Sequence, residues 1–423
     1  MISPTLRNVV IGLWSFLAVK CGATSLIVSY EPGNETSATM WGIMFEAKIF
    51  GDATFYVDTT SERFTEFHQR PLTTFSSLTD IKYRMTFDAE LVAGSSVWFA
   101  LPQLYPITFH NRYNGLKPSL AEAVDNIGGK FLRFPDGNNL EGPDVENRWK
   151  WNETIGALTS RPGHQGAWGY PNTDALGLHE YLEWCDDMHF KLFLDVYSGY
   201  ALDGTHITGE DLRPFVDEVQ CELELQLIAS ATGFNCLPDP FLVDAWIDYH
   251  AYNVPENYIV NFAQWDNVSR RNKYIIGEMG HWGVQWSGMK GSVSEAIFML
   301  ALERNSDLIR GVAFAPSISL VDQPQWAPNL IPFKQAPDAI VYTSSYWVQQ
   351  LFAQNSGTMT HEITPDTRKK SATLSILGHD NPDSANTYDA APISPPVVSH
   401  IESSDNSFDF LLPAWSVAAL RAD

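Results

Sequence analysis

Cysteine is scarce in this chain, with four in 423 residues, and the scarcity excludes a scaffold built on disulfides. Cys185 sits in the helical pattern EYLEWCDDM and reads as buried, whereas Cys221 and Cys236 flank a short region and could bridge. No Cys or His cluster has zinc-site spacing and there is no HExxH, so no metal is expected. No GxGxxG follows a strand-like run, and no cofactor is expected. Positive charge is also in deficit: 27 Lys and Arg face 50 Asp and Glu, a net charge of −23. That balance argues against nucleic acid and against an anionic membrane, and it suits a neutral partner. Later apolar stretches are broken by charges, which leaves Val9 to Val19 as the one long run. It is short for a spanning helix of about 20 residues. Arg7 precedes it and Gly22-Ala23 follow, the layout of a secretory signal peptide cut after Ala23, with an extracellular product. There is no internal repeat, and nothing in the sequence sets an oligomeric state.

What the chain has in quantity is aromatic side chains: 14 Trp, 16 Tyr and 24 Phe. Most belong in cores, but aromatic faces also suit the C–H faces of sugars. Three sequons, at Asn34, Asn152 and Asn267, are glycosylation candidates wherever they are exposed. From Leu26 to about His110 the runs LIVSY, TFYVD, IKYRMTFDAEL and SSVWFAL are β-rich. From Leu120 onward, helical patterns and strands such as KFLRF, KLFLDVY, VDAWIDYHAY, KYIIGE and LIRGVAFAP alternate to Phe352. Alternation of this kind builds a parallel sheet flanked by helices. Useful polar residues recur at the ends of different strands, which favours a (β/α)8 barrel over a doubly wound sheet. After Phe352, THEITPD, SATLSILGHD and FDFLLPAWSVAALRAD read as strands of a small β unit, with a loose Pro/Ser/Asp-rich connection over 381–407.

The chemistry concentrates in few places. Glu278 closes the strand KYIIGE, where a barrel glycosidase keeps one of its two acids. DYHAY (Asp248 to Tyr252) adds a phenol and an imidazole suited to holding a carboxylate. In FLRFPDGNNLEG, Arg133 can fork onto a carboxylate, and the two asparagines after the turn, Asn138 and Asn139, can offer amides to sugar hydroxyls. Trp149, Trp151 and Trp168, in the glycine-rich stretch that follows, are candidates to line a subsite. Glu46, in WGIMFEAKIF, is another acidic strand end, and Glu218, Glu222 and Glu224 read as solvent-facing helix charges.

RFPDGNNLEG, RWKWNETIG, RPGHQGAWGYPNTDALGLHEYLEWCDDM, DYHAY, IIGE, ALERNSDLI and APNLI together resemble the secreted fungal α-L-arabinofuranosidases of glycoside hydrolase family 51. The resemblance implies a (β/α)8 TIM-barrel-like catalytic domain with accessory β-sandwich elements at both ends. It divides the chain into a signal peptide (1–23), a start that contributes to the C-terminal sandwich (24–40) and a first barrel strand region (41–58). A shortened carbohydrate-binding-like β module (59–104), the barrel (105–352) and a C-terminal sandwich remnant (353–423) follow. It also implies retaining removal of terminal arabinofuranosyl groups from an arabinofuranosyl-substituted polysaccharide or oligosaccharide. Glu278 would be the nucleophile. Glu46, Asn138, Trp151, His250 and Tyr252 would bind substrate, and Arg133 would brace the site. The family's acid/base glutamate follows an asparagine at the end of the fourth strand. No such pair exists here: at Val219-Gln-Cys-Glu-Leu-Glu-Leu a helix runs straight into the next strand. The barrel is therefore expected to lack its fourth strand, and the acid/base to be absent. The family's Pro-Gly-Gly-Asn turn is Pro135-Asp136-Gly137-Asn138 here, and Ala47 replaces an Asp after the early glutamate.

Overall fold

The computed structural model describes residues 28–44, 108–112, 115–135, 137–219, 221–222, 246–284, 286–321, 326–334, 339–363, 370–404 and 408–422. The signal peptide, Glu46, the module at 59–104, Asp136, Glu224 and Cys236 lie outside these residues.

A six-stranded sheet forms the core. Its order is Lys191–Leu194, Phe131–Phe134, Trp41–Met44, Ile309–Phe314, Tyr274–His281 and Ile247–Asn253. Every neighbouring pair is parallel, so the strand C-termini share one end. Strands in such a sheet are covered on both faces and read as continuous apolar runs. Phe131–Phe134 shows this, with all four residues buried. Helices Pro118–Asp125, Leu178–Met188, Met289–Arg304 and Ser344–Asn355 supply the outer layer. Met289–Arg304 buries most of its circumference, including Phe298, Met299 and Leu302. This is a (β/α)8-like barrel core.

Its two edge strands are Lys191–Leu194 and Ile247–Asn253. They are linked by chemistry rather than by pairing among the described residues: Phe193 and Trp246 meet ring to ring at 5.4 Å. Phe193 and Tyr252 also pack on one interior cluster of Phe131, Ile275, Ala313 and Ala315. Residues 223–245 lie outside the described residues.

Separate sheets flank the core. Ser371–His379 pairs antiparallel with Val397–Glu402 on one side and Trp415–Ala422 on the other. Val28–Glu35 pairs antiparallel with Met359–Ile363, joining the start of the described chain to the segment that follows the Ser344–Asn355 helix. The strand at Val397–Glu402 corrects the reading of 381–407 as a loose connection. It is an exposed edge strand, with Val397 65% and Val398 61% accessible, so backbone pairing holds it and no alternating apolar pattern announces it.

Candidate active site

The site starts from Arg133, whose side chain is 1% exposed in the middle of the sheet. Three carboxylates surround it: Asp195 just past one strand, Asp248 at the second position of another and Glu278 inside a third. Nε lies 3.0 Å from Asp195 Oδ2, Nη2 lies 2.5 Å from Asp248 Oδ2, and Nη1 lies 3.5 Å from Glu278 Oε1. A guanidinium keeps its charge when buried and offers a planar fork, so it suits this place better than lysine would.

Glu278 is held from several sides. Tyr252 donates its hydroxyl to Oε2 at 2.9 Å, and His250 Nδ1 is 3.3 Å from the same oxygen. Asp248, His250 and Tyr252 recur every second residue and therefore share a strand face. The register pairs His250 with Glu278 and Tyr252 with Gly280 across the parallel ladder. Asp248 is tied to the next strand as well, because Gly277 N–H donates to Oδ1 at 3.1 Å. A Cβ at Gly277 would come 2.2 Å from that oxygen and 2.6 Å from Arg133 Nε, so only glycine fits there. Burial alone would raise the Asp248 carboxyl, but the Arg133 guanidinium and His250 outweigh it and hold it at about 2.

The turn after Phe134 forms the rim. A Cβ on Gly137 would sit 3.3 Å from His250 Cε1 and 3.7 Å from Glu278 Oε1. The amide of Asn138 is half-buried. Its neighbour Asn139 is 4% exposed and committed, donating Nδ2 to Pro135 O at 3.2 Å. Glu141, at the end of the short helix Gly137–Glu141, was not singled out in the sequence. Burial raises its carboxyl, partly opposed by His250 and Arg133, while Asp248 adds to the rise.

The sequence-based subsite residues separate. Trp149 is buried in the main core, and Trp151 packs on that core from the 3-10 turn Trp151–Glu153. Trp168 reaches Trp326 at 5.6 Å between ring centroids. The tryptophans against Tyr252 are Trp326, at 5.6 Å, and the half-exposed Trp282, at 6.1 Å, which also meet each other. Neither was predicted, because each stands in a loop whose reach depends on the closed fold.

The glutamates near the missing Asn-Glu pair also need correction. Glu218 is not a free surface charge: both its oxygens accept from the Arg148 guanidinium. Glu222 is only 4% exposed. Burial, then the neighbouring Glu218, push its carboxyl up to about 8, against a smaller pull from Arg148. Of the sequons, Asn152 and Asn267 are exposed. Asn34 instead spends its amide nitrogen on Arg304 O at 2.9 Å and Asp307 Oδ1 at 3.1 Å. Cys221 is exposed and Cys185 buried. Among the described residues no group of His, Cys, Asp and Glu is arranged to hold a metal ion.

Known proteins align with this architecture. Residues 123–227 match the profile of the α-L-arabinofuranosidase 1 domain, and 265–369 that of the α-L-arabinofuranosidase C-terminal domain. A probable α-L-arabinofuranosidase A of Aspergillus terreus is 37% identical over 88% of this chain and 75% of its own length. The α-L-arabinofuranosidase A of Aspergillus niger is 34% identical over the same shares. The A. terreus alignment runs over 472 positions, more than the 423 residues of this chain, so it opens gaps in it. Among solved structures, an arabinose-bound GH51 α-L-arabinofuranosidase superposes with a TM-score of 0.66 at 26% identity, over 75% of this chain and 68% of that one. The arabinose complex of the Thermotoga maritima α-L-arabinofuranosidase covers 94% of this chain and 99% of its own, with a TM-score of 0.61 at 14% identity; this second likeness speaks for the fold alone. The chain belongs to the fungal α-L-arabinofuranosidases of glycoside hydrolase family 51.

Proposed function

We propose that Glu278 is the nucleophile of a retaining α-L-arabinofuranosidase site, and that this chain performs the acid-assisted half of the reaction poorly. The observation that carries the first part is the grip on Glu278 by Tyr252, His250 and Arg133. Held by donors at both oxygens, the carboxylate is oriented for attack on an anomeric carbon, with Asn138 positioned for a sugar hydroxyl. The substrates are terminal non-reducing arabinofuranosyl groups of arabinan, arabinoxylan or related hemicellulose. Trp282 and Trp326 offer apolar faces beside Tyr252 for the sugar or its aglycone.

Retention needs a second carboxyl about 5–5.5 Å from the nucleophile to protonate the leaving oxygen. Among the described residues, Asp195 and Asp248 are engaged by Arg133, which suits them to anchoring and not to donating a proton. Neither Asn-Glu pair of the sequence follows a strand of the core sheet: Asn34-Glu35 ends the strand paired with Met359–Ile363, and Asn152-Glu153 lies in the 3-10 turn Trp151–Glu153. Without a general acid an alkoxide must leave unaided, a loss of roughly 10²–10⁴-fold. The second reading, a binding protein that keeps the arabinose pocket without turnover, is favoured by the same deficit.

A mechanism-based arabinofuranose inhibitor followed by peptide mapping separates these readings. Label on Glu278 supports the nucleophile, label on another carboxylate removes it, and sugar binding without label favours the binding protein. Secretion belongs to the same proposal: the mature N-terminus falls just after Ala23, and N-terminal sequencing that finds Met1 on the extracellular protein refutes it. Asn152 and Asn267 carry the glycans in this reading.

A further inference from the structure

Behind the rim turn stands a polar cluster that no part of the reaction uses. The stretch from Arg161 to Ala175 folds back on itself, with His164–Gln165 pairing antiparallel to Pro171–Asn172. Two glycines make the reversal possible. Gly163 has φ +69° with Asn172 O 2.6 Å from where a Cβ would be, and Gly169 has φ +81°. Arg161 locks the base of this hairpin. Its guanidinium forks onto Glu180 at 2.9 and 3.0 Å and donates to the carbonyls of Asp174 and Ala175. Glu180 in turn accepts from Gly177 N–H at the start of the Leu178–Met188 helix. The hairpin is thus fastened to the barrel as a rigid piece.

From it, Asn172 and His164 converge on Asn139, and Asp174 stands behind His164. Asn172 donates Nδ2 to Asn139 Oδ1 at 2.8 Å, and His164 Nε2 lies 3.3 Å from the same oxygen. Asp174 Oδ2 is 2.9 Å from His164 Nδ1, so the imidazole donates there and its orientation is set. Nε2 is then the acceptor and takes a hydrogen bond from Asn172 Nδ2 at 3.3 Å, so His164 reaches Asn139 through the Asn172 amide. The side chains of His164 and Asp174 are 7% and 5% exposed. Asp174 itself has φ 52°, in the left-handed region that Asp tolerates better than most residues. Asn139 passes the constraint on by donating to Pro135 O, which closes the turn around Gly137 and Asn138. One asparagine of the adjacent pair is consumed in holding the turn, and the other stays available to a ligand.

We infer that His164 and Asp174, acting through Asn139, are positioning residues that set the Asn138 amide for the sugar. The inference rests on the arabinofuranoside reading of the Glu278 pocket. None of the three touches substrate, so their effect reaches the sugar only through Asn138.

The test measures binding of a thio-linked arabinofuranoside, which cannot turn over, to the full chain and to Asn138→Ala, His164→Ala, Asp174→Asn and the Asn138→Ala/His164→Ala double variant. Thermal melting confirms that each is folded. Asn138→Ala and His164→Ala each weaken binding about tenfold, the scale of one buried hydrogen bond, and the double variant binds no worse than Asn138→Ala alone. Asp174→Asn keeps the side-chain shape and gives a smaller loss in the same direction, which carries the comparison if His164→Ala unfolds. Wild-type affinity in Asp174→Asn and His164→Ala overturns the inference, as does a double variant in which the two losses multiply. If the wild-type chain binds no probe, the arabinofuranoside reading falls instead.

Discussion

Two buried arginines stand near the open ends of the strands, and the carboxylates around them behave in opposite ways. Arg133 faces Asp195, Asp248 and Glu278 at once, and with His250 it holds Asp248 at about 2 despite burial. Arg148 is 6% exposed and gives both ends of its fork to Glu218, while its plane lies 4.9 Å over the Tyr197 ring. Little of its charge is left for Glu222, which burial and Glu218 push up to about 8. Burial alone therefore does not decide the state of an acid in this protein. What decides is whether a cation is shared or already taken. The Arg133 cluster keeps Asp248 charged; around Arg148 the Glu222 carboxyl keeps its proton at neutral pH.

The contrast can be broken from either side. The largest effect falls on Glu278. Glu278→Gln removes covalent labelling by an activated aryl arabinofuranoside, slowing it by at least about 10⁴-fold, as loss of a nucleophile does; intact-mass spectrometry reads the result. Arg133→Met comes next. It strips three carboxylates of the buried guanidinium they share and lowers stability by about 3–5 kcal/mol, measured by urea unfolding at pH 7.

Glu222 sharpens the other side. Its folded value is raised above its unfolded one, so its contribution is fully present below about 4.5, the ordinary carboxyl value, and is lost as pH rises through about 8. Glu222→Gln keeps the neutral form and flattens that decline, a difference on the order of 3 kcal/mol by pH 9. Asp248 has the opposite sign: its contribution is present above about 4 and disappears as pH falls toward about 2. The smallest effect is at Tyr252. Tyr252→Phe removes one hydrogen bond to Glu278 and slows labelling about tenfold, the value of a bond to a charged group.

Much of this was legible in the chain because the relevant contacts follow strand periodicity. Asp248, His250 and Tyr252 alternate along one strand, and the ladder sets His250 opposite Glu278, although an irregularity between Asp248 and His250 shifts the register in a way the sequence does not show. Arg133 in an all-apolar strand was a buried cation in need of partners, though the sequence did not say that Asp195 would be one. The barrel followed from alternating elements, and each described core strand overlaps the run that suggested it. The rest depended on distance in three dimensions. His164 and Asn172 meet Asn139, with Asp174 behind His164, only because a hairpin folds over a turn some 25 to 35 residues upstream in sequence. Trp282 and Trp326 approach Tyr252 from separate loops. Glu218 and Glu222 looked solvent-facing by helical phase, yet Arg148, about 70 residues away in sequence, draws Glu218 inward.

The central claim is that the nucleophile is in place and the proton donor is not. It is tested most directly by offering the chain two arabinofuranosides that differ in leaving group and following both the released group and the mass of the protein. A dinitrophenyl arabinofuranoside scarcely needs protonation, so it releases a burst of phenolate and leaves an arabinosyl group on Glu278. An arabinose-substituted xylo-oligosaccharide under the same conditions releases arabinose at least about 10²-fold more slowly than an ordinary glycosidase would. Release of arabinose from that oligosaccharide at about 10 s⁻¹, the usual rate for an enzyme, or an arabinosyl label on any residue other than Glu278, would contradict the account.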